Sequence, residues 1–184
     1  MLHDKAQMKK SHSNITQIVP YDWCSRCDVC CRFPEKESFL APYFTKDEIS
    51  SAMQSGMNAS SFIANSGCKI TLTSYKEGYI CPAFNPETTL CRIYDVRPID
   101  CIIYPFAIMR SADGMEIVLG LDMKCPYVRE FMYADSVKEA ALEVANTIDS
   151  SPILDIISEN PGLIGPYQED VSPVVVLKKL TLIP

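Results

Sequence analysis

Nine cysteines in a chain of 184 residues constrain this sequence more than any other feature. A single domain of this length buries roughly 70% of the surface that its unfolded chain exposes, so it can fold around a hydrophobic core without cross-links. An odd number of cysteines also argues against a framework in which every cysteine is paired in a disulfide. We therefore expect these thiols to bind metal or to carry thiol chemistry.

Four of the cysteines lie within eight positions, as Cys24-x2-Cys27-x2-Cys30-Cys31. A C-x2-C turn places two sulfurs on the same side of a tight loop, at a separation that one metal centre accepts. The doubled x2 spacing matches the opening of the ferredoxin cluster loop, although Cys31 follows Cys30 directly instead of standing at the fourth ferredoxin position. Because adjacent side chains usually diverge, we expect Cys30 and Cys31 to serve different centres or opposite sides of one site.

A second set of four cysteines is spread more widely, at Cys81, Cys91, Cys101 and Cys125. Together with the first set it supplies enough thiolates for two tetrahedral sites. The remaining cysteine, Cys68, opens a predicted strand and is expected in the core, because free cysteine behaves as a small hydrophobe. The predicted metal ligands are thus Cys24, Cys27, Cys30, Cys31, Cys81, Cys91, Cys101 and Cys125.

Positively charged residues accompany both cysteine sets. A four-thiolate site that holds zinc(II) or a [4Fe-4S] cluster carries a formal charge of about −2, which nearby cations stabilise by hydrogen bonding to the sulfurs. Arg97 and Arg92 are the candidates for this role, with an ordinary surface position as the alternative. The cations near the cysteines are Arg26, Arg32, Arg92, Arg97 and Lys124.

Four stretches resemble a known family: CSRCDVCC at 24–31, CPAFN at 81–85, CRIYDVRPIDCIIYPF at 91–106 and the pair Cys125-Pro126. They resemble the CxxCxxCC cysteine-cluster proteins, which are described as zinc- or iron-chelating domains and often as iron–sulfur proteins. One relative with a similar pattern is a flagellin lysine N-methylase. The resemblance implies that the ligands are Cys24, Cys27, Cys30, Cys31, Cys81, Cys91 and Cys101, with Cys125 as an addition.

The identity of the metal follows from the ligand set only in part. All-thiolate ligation suits zinc, iron–sulfur clusters or copper(I). The ferredoxin-like spacing favours an iron–sulfur cluster of the [4Fe-4S] type, with a redox, electron-transfer or accessory role and a protein redox partner. The alternatives are a zinc-binding structural or interaction domain, and a cluster-dependent enzyme resembling a protein lysine N-methylase that acts on a protein substrate.

Charge and hydropathy argue against several other classes. A net charge of −6 and a pI near 4.9 do not suit a nucleic-acid partner, which requires a basic surface. No stretch approaches the ~18 apolar residues of a membrane span. The N-terminus is polar and lacks a secretory signal, so we expect a cytoplasmic protein with reduced thiols. His3 and His12 lie in a predicted flexible arm and are not expected to be catalytic.

The chain is predicted to form a small α+β single domain, with short helices and β-hairpins around cysteine-rich loops. We expect a flexible arm over residues 1–20, with a short strand at 15–19, and the metal-binding domain over residues 21–184. Thr45-Lys46-Asp47-Glu48 is a capping box that opens a helix ending at Gly56. A second short helix is predicted from Asn58 to near Gly67.

Further along, a strand is predicted over 68–75, followed by a Glu77-Gly78 turn and a strand at 79–81. Residues 82–104 are predicted to be an ordered loop because they contain three prolines. Asp113-Gly114 marks a hairpin between strands at 106–110 and 115–121. Asp135 or Ser136 is expected to cap an amphipathic helix that runs through Ile148. A helix from Pro152 and a strand over 172–183 complete the prediction.

Overall fold

The computed structural model describes residues 15, 17–64, 66–131 and 133–182. Over these residues it has seven short α-helices and ten β-strands in small antiparallel sheets, which confirms the predicted α+β class. Most of the predicted N-terminal arm, with His3 and His12, lies outside the described residues. The chain divides into two compact units. The N-terminal unit is Val19–Ile102, and the C-terminal unit is Ile103–Pro184 with the described residues before Val19.

The N-terminal unit is assembled from very short elements, joined by three-residue 3₁₀ turns at Val29–Cys31, Ala59–Ser61 and Tyr94–Val96. Its strands form a three-stranded sheet, in the order β1-β5-β4, and two separate pairs, β2-β3 and β6-β7. The elements are α1 Tyr21–Cys24, β1 Arg32–Phe33, β2 Tyr43–Phe44, α2 Lys46–Gln54, β3 Cys68–Lys69, β4 Thr73–Tyr75, β5 Gly78–Ile80, β6 Phe84–Asn85, β7 Leu90–Cys91 and α3 Ile99–Ile102.

Helix α2 begins at the predicted capping box. The hydroxyl of Thr45 accepts a hydrogen bond from the N–H of Glu48 at 3.3 Å, and the Glu48 carboxylate accepts one from the N–H of Thr45 at 2.8 Å. After the helix ends, Gly56 has a φ of +95°, in the left-handed region that favours glycine. The sequence therefore predicted both ends of this helix correctly.

Three other predictions in this unit need correction. The strand predicted over 68–75 is interrupted, so that β3 and β4 pair with different partners. The helix predicted from Asn58 is only the 3₁₀ turn Ala59–Ser61, capped by the Asn58 side chain. Residues 82–104 are not a plain loop, because they contain the β6–β7 hairpin and helix α3. Proline is tolerated next to a helix start, and here Pro98 immediately precedes α3.

A hydrophobic core fills the N-terminal unit. The rings of Phe44 and Phe62 meet edge to face, with centroids 5.2 Å apart. Cys68 is buried in this core and its thiol lies 3.4 Å from the carbonyl oxygen of Ala64, which confirms the prediction that it is a core residue. The buried members of the core are Phe33, Ala41, Phe44, Ile49, Ala52, Met57, Phe62, Cys68, Ile70, Leu72, Ile80, Cys81, Ala83, Phe84 and Ile93.

The C-terminal unit has longer elements around one antiparallel sheet, in the order β10-β9-β8. Its hairpin was predicted correctly: Gly114 has a φ of +73°, and the Asp113 carboxylate accepts the N–H of Met115 at 3.0 Å. The elements are β8 Phe106–Arg110, β9 Ile117–Asp122, α4 Pro126–Phe131, α5 Asp135–Ile148, α6 Ser151–Glu159, β10 Val171–Val176 and α7 Lys178–Thr181.

Helix α5 confirms the predicted periodicity, with Val137, Ala141, Val144 and Ile148 buried. Its N-cap is Ala134, not Asp135 or Ser136, because Ala134 is the last residue with extended backbone. The C-terminal strand is shorter than predicted, since β10 ends at Val176 and α7 follows. In the part of the chain that the structure describes, no helix combines the length and the apolar character needed to cross a membrane.

Candidate metal centre

A strand pair brings one cysteine of each set together. Strands β1 and β5 are antiparallel, with Arg32 opposite Ile80 and Phe33 opposite Tyr79. Cys31 directly precedes β1 and Cys81 directly follows β5, so the two cysteines are neighbours across the pair. The N–H of Cys81 donates to the carbonyl oxygen of Cys31 at 3.0 Å.

The β6–β7 hairpin carries Cys91 back towards Cys81. Cys91 lies opposite Phe84, whose N–H donates to the carbonyl oxygen of Cys81 at 2.9 Å. In the hairpin turn Thr89 has a φ of +56°, and its hydroxyl donates to the carbonyl oxygen of Ser25 at 2.9 Å. The hairpin is therefore tied to the loop that carries the first cysteine set.

Cys101 lies in the short helix α3, whose N-terminal end is held by two carboxylates. Glu48 accepts the N–H of Ile99 at 2.7 Å, and Asp100 accepts the N–H of Tyr43 at 2.9 Å. Within the helix, the N–H of Cys101 donates to the carbonyl oxygen of Pro98 at 2.9 Å. These bonds fix the helix that contains Cys101, the last predicted ligand in this unit.

The sulfurs of Cys30 and Cys31 lie 4.0 Å apart. The predicted divergence of these adjacent side chains is therefore not found. Two thiolates on one tetrahedral zinc ion, with Zn–S bonds of about 2.3 Å, are about 3.8 Å apart. Cys30 is exposed whereas Cys31 is half-buried, so the pair reaches from the surface towards the core.

Four thiols in this region have raised pKa values. The pKa of Cys31 is raised first by its hydrogen bond with Cys30, then by burial and by the charges of Cys30, Cys81 and Cys101. Burial raises the pKa of Cys81 to about 12, with a further contribution from Cys91. Burial, followed by Cys81, raises the pKa of Cys101 well above its ordinary value. The sulfurs are close enough to disfavour one another as thiolates, and a bound cation reverses that effect.

The two predicted arginines both act on Cys91. Burial raises the pKa of the Cys91 thiol, while the charges of Arg97 and Arg92 lower it. The Arg97 guanidinium stacks 3.5 Å from the centre of the Tyr94 ring, and its Nε donates to the Tyr94 carbonyl oxygen at 2.9 Å. Arg92 donates to the carbonyl oxygen of Pro82. Both guanidiniums are thus fixed where they stabilise a Cys91 thiolate.

The other three cations are engaged elsewhere. Arg26 pairs with Asp22 at 3.5 Å, in an exposed ion pair. Arg32 pairs with Asp28 and also lies over the Tyr75 ring, 5.2 Å from its centre. Lys124 belongs to the C-terminal unit, where it pairs with Asp170 at 2.9 Å.

The predicted ligands are therefore not all placed alike. Cys24 and Cys27 are half-buried in one turn, in which the N–H of Cys27 donates to the carbonyl oxygen of Cys24 at 3.2 Å. Cys125 is buried in the C-terminal unit, and its N–H donates to the carbonyl oxygen of Asp122 at 3.3 Å. Electrostatic effects between thiols link Cys30, Cys31, Cys81, Cys91 and Cys101.

The donors fit a soft metal centre. The two aspartates next to predicted ligands in the sequence already bind other groups, Asp28 with Arg32 and Asp100 with the N–H of Tyr43. Sulfur is then the donor that remains, which suits zinc, iron–sulfur clusters or copper(I). Among the described residues, no three or more His, Cys, Asp or Glu side chains are arranged so that they could hold a metal ion. Cys31 and Cys81 are neighbours across β1–β5, but the thiols do not form a coordination shell.

Sequence reasoning missed the residues that support this site. The capping box identified Glu48 as a helix residue, but nothing nearby in the chain signals its second bond, to the N–H of Ile99. Thr89 gave no signal either, because its partner Ser25 is far away in the chain. Both roles depend on contacts that appear only once the loops have folded together.

Comparison with known proteins agrees with this donor set. The profile of a family described as "CxxCxxCC: Putative zinc- or iron-chelating domain" matches residues 23–132. No curated protein and no solved structure is significantly similar to the chain. The match covers more than half of the 184 residues and includes all eight cysteines of the two sets. The chain therefore belongs to the CxxCxxCC family of zinc- or iron-chelating domains.

Proposed function

We propose that this protein holds an iron–sulfur cluster, of the [4Fe-4S] type, on cysteine thiolates of its N-terminal unit. The main support for the proposal is the strand pair β1–β5, which makes Cys31 of the first set a neighbour of Cys81 of the second, with the N–H of Cys81 bonded to the carbonyl oxygen of Cys31 at 3.0 Å. Asp28 and Asp100, next to predicted ligands in the sequence, are already bonded, which favours sulfur donors, and the Cys24–Cys30 spacing is that of a ferredoxin loop.

The chain's own residues would bind the cluster and stabilise its charge. The candidate ligands come from both sets: Cys24, Cys27 and Cys30 of the ferredoxin-like loop, and Cys31, Cys81, Cys91 and Cys101, which are buried or half-buried. Arg92 and Arg97 favour the thiolate form of Cys91 and so offset part of the negative charge. When bound, the cluster would supply one-electron transfer, which fits a redox or accessory role. Thiolate ligands on every iron leave no open position for substrate, which favours this role over Lewis-acid catalysis.

A zinc-binding structural or interaction domain is the second candidate, favoured by one distance. The sulfurs of Cys30 and Cys31 are 4.0 Å apart, close to the spacing of two thiolates on a single tetrahedral ion. A [4Fe-4S] cluster binds each thiolate to a different iron, which requires a wider separation. In the zinc case the metal would hold the loops together without redox chemistry.

Anaerobic purification followed by analysis of iron, zinc and acid-labile sulfide tests both candidates. Stoichiometric iron and sulfide with a brown colour supports the iron–sulfur proposal. A colourless protein that binds only zinc overturns it and supports the second candidate, while a protein that takes up neither metal overturns both. The Cys81→Ser variant should lose the metal, whereas the core variant Cys68→Ser, as the matched control, should keep it.

A further inference from the structure

Glu48 is a buried carboxylate with both oxygens engaged. Its side chain is 4% exposed, and it is one of few buried charged or polar residues among those described. One oxygen accepts the N–H of Thr45 at 2.8 Å, which is the capping-box bond. The other accepts the N–H of Ile99 at 2.7 Å. A buried carboxylate is costly unless hydrogen bonds satisfy it, so these two bonds fix its position strongly.

The second bond reaches far beyond the helix that Glu48 belongs to. A capping box needs only one carboxylate oxygen, yet the other binds a residue 51 positions further along the chain. Its partner Ile99 is fully buried and is the first residue of α3, a helix of only four residues. So short a helix is not stable by itself and depends on such tertiary bonds.

A second carboxylate holds the same end of α3. Asp100 accepts the N–H of Tyr43, in strand β2, at 2.9 Å. Beside β2, the Lys69 ammonium donates to the carbonyl oxygen of Ala41 at 3.0 Å. Cys101 is the residue after Asp100, so both carboxylates act within two positions of a proposed ligand.

From this arrangement we infer that Glu48 is a positioning residue for the metal centre: through its bond to the N–H of Ile99 it fixes α3 and holds Cys101 beside the other sulfurs. The inference rests on the proposed function, because it assigns a support to that same centre. It extends the site to a residue that is not a ligand and does not lie next to any cysteine in the sequence.

Two substitutions in the same capping box separate positioning from helix stability. Glu48→Gln leaves only one acceptor oxygen for two N–H donors, and the new NH₂ group then faces one of these donors. Thr45→Ala removes the hydroxyl that accepts the N–H of Glu48 but keeps both carboxylate bonds. If Glu48→Gln does not fold, Glu48→Asp retains the charge and the capping oxygen but is one methylene too short to reach both partners.

Competition with a chromophoric chelator, with Zn²⁺ as the probe, measures the affinity of each variant. We expect Glu48→Gln to bind Zn²⁺ about 10- to 100-fold more weakly than the wild type, the range for loss of a supporting hydrogen bond. Thr45→Ala should remain within about threefold of the wild type. In the metal-free protein, amide exchange at Ile99 should accelerate in Glu48→Gln but not in Thr45→Ala.

A double-mutant cycle with Cys101→Ser tests whether Glu48 affects the metal affinity through Cys101. If Glu48 acts by placing Cys101, then Glu48→Gln changes the affinity no further once Cys101 is serine. Equal weakening by Glu48→Gln and Thr45→Ala, or full additivity with Cys101→Ser, overturns the inference. A wild type that binds no metal overturns the proposed function as well. Metal binding that is unchanged in Glu48→Gln and Glu48→Asp overturns the positioning role alone.

Discussion

The N-terminal unit is built from strands of two or three residues, whereas the C-terminal unit has strands of five and six residues and a 14-residue helix. Longer elements bury an apolar face by themselves, as α5 does with its row of buried side chains. The short strands of the N-terminal unit bring few ladder hydrogen bonds of their own. They are held by tertiary bonds between loops, such as that between Cys81 and Cys31.

Metal binding and folding are expected to be linked in the N-terminal unit. In the N-terminal unit Cys81 is part of the hydrophobic core, and Cys31 and Cys91 pack against it. A metal on these thiols would therefore tie the core to the loops around it, so that binding and completion of the fold become one process. In the C-terminal unit the sheet and helices already bury the apolar side chains.

Removal of the metal should give the largest difference between the units. Structural zinc in small domains contributes about 10–16 kcal/mol of apparent binding free energy, all of it available to the folded state. We expect hydrogen exchange after chelation to lose protection at residues 27–33 and 80–101, with residues 106–122 unchanged. Equal loss of protection in both units would contradict the expectation that the metal stabilises mainly the N-terminal unit.

An alkaline pH should destabilise the metal-free N-terminal unit. The pKa of Cys81 is about 12 in the folded protein and ordinarily 9.0, so folding favours the neutral thiol. The contribution of the Cys81 thiol to the free energy of unfolding is complete below pH 9. It is lost as the pH rises towards 12, by at most about 1.4 kcal/mol per pH unit. Denaturant unfolding of the metal-free protein between pH 8 and pH 10.5 measures it.

The Cys81→Ser variant is the control for that experiment, because it removes the titrating thiol. Its stability should depend less steeply on pH than that of the wild type. An identical slope in the two proteins would show that folding does not raise the pKa of Cys81.

Alanine substitutions at two glycines, one in each unit, test whether metal binding depends on the N-terminal unit. A Cβ at Gly78 would lie 2.8 Å from the carbonyl oxygen of Phe33, which forces β5 away from β1 and so separates Cys31 from Cys81. A Cβ at Gly120 would lie 2.4 Å from a methyl of Val171 in the C-terminal unit. We expect each alanine variant to lose about 1–3 kcal/mol of stability, but only Gly78→Ala to bind metal more weakly.

Gly165→Ala is the matched control, since its new methyl meets neighbours only at 3.5 and 3.6 Å. It should change neither thermal stability nor metal affinity. If Gly120→Ala weakened metal binding as much as Gly78→Ala, the proposed confinement of the site to the N-terminal unit would be wrong.

The smallest expected effect is that of Arg97→Gln. Its positive charge lowers the pKa of Cys91, so its loss raises that pKa and makes the thiolate that binds metal less favourable. We expect Zn²⁺ affinity to fall about tenfold, and more at low pH than at high pH. Arg26→Gln, in an exposed ion pair, is the control and should bind as the wild type does.

Much of the fold could be predicted where the signal is local. The capping box at Thr45, the Asp113-Gly114 hairpin and the periodicity of α5 depend on residues within one element, and the structure confirms all three. The plain loop predicted over 82–104 was wrong although the β6–β7 hairpin pairs within that segment, because Thr89 and not a glycine has the positive φ in its turn. The continuous strand predicted over 68–75 was wrong because β3 pairs with the distant strand β2. Periodicity within a segment gives no information on such partners.

The spacing of the cysteines was enough to predict a metal-binding domain, because thiolates so closely spaced have few other uses in a chain with its own core. Which cysteines become neighbours depends on the tertiary structure. The β1–β5 register makes Cys31 and Cys81 neighbours, and the bond from the N–H of Ile99 to Glu48 fixes the start of the helix that contains Cys101. The physical reason is that ligand geometry is set by strand register and by buried hydrogen bonds between distant segments, which spacing along the chain does not encode.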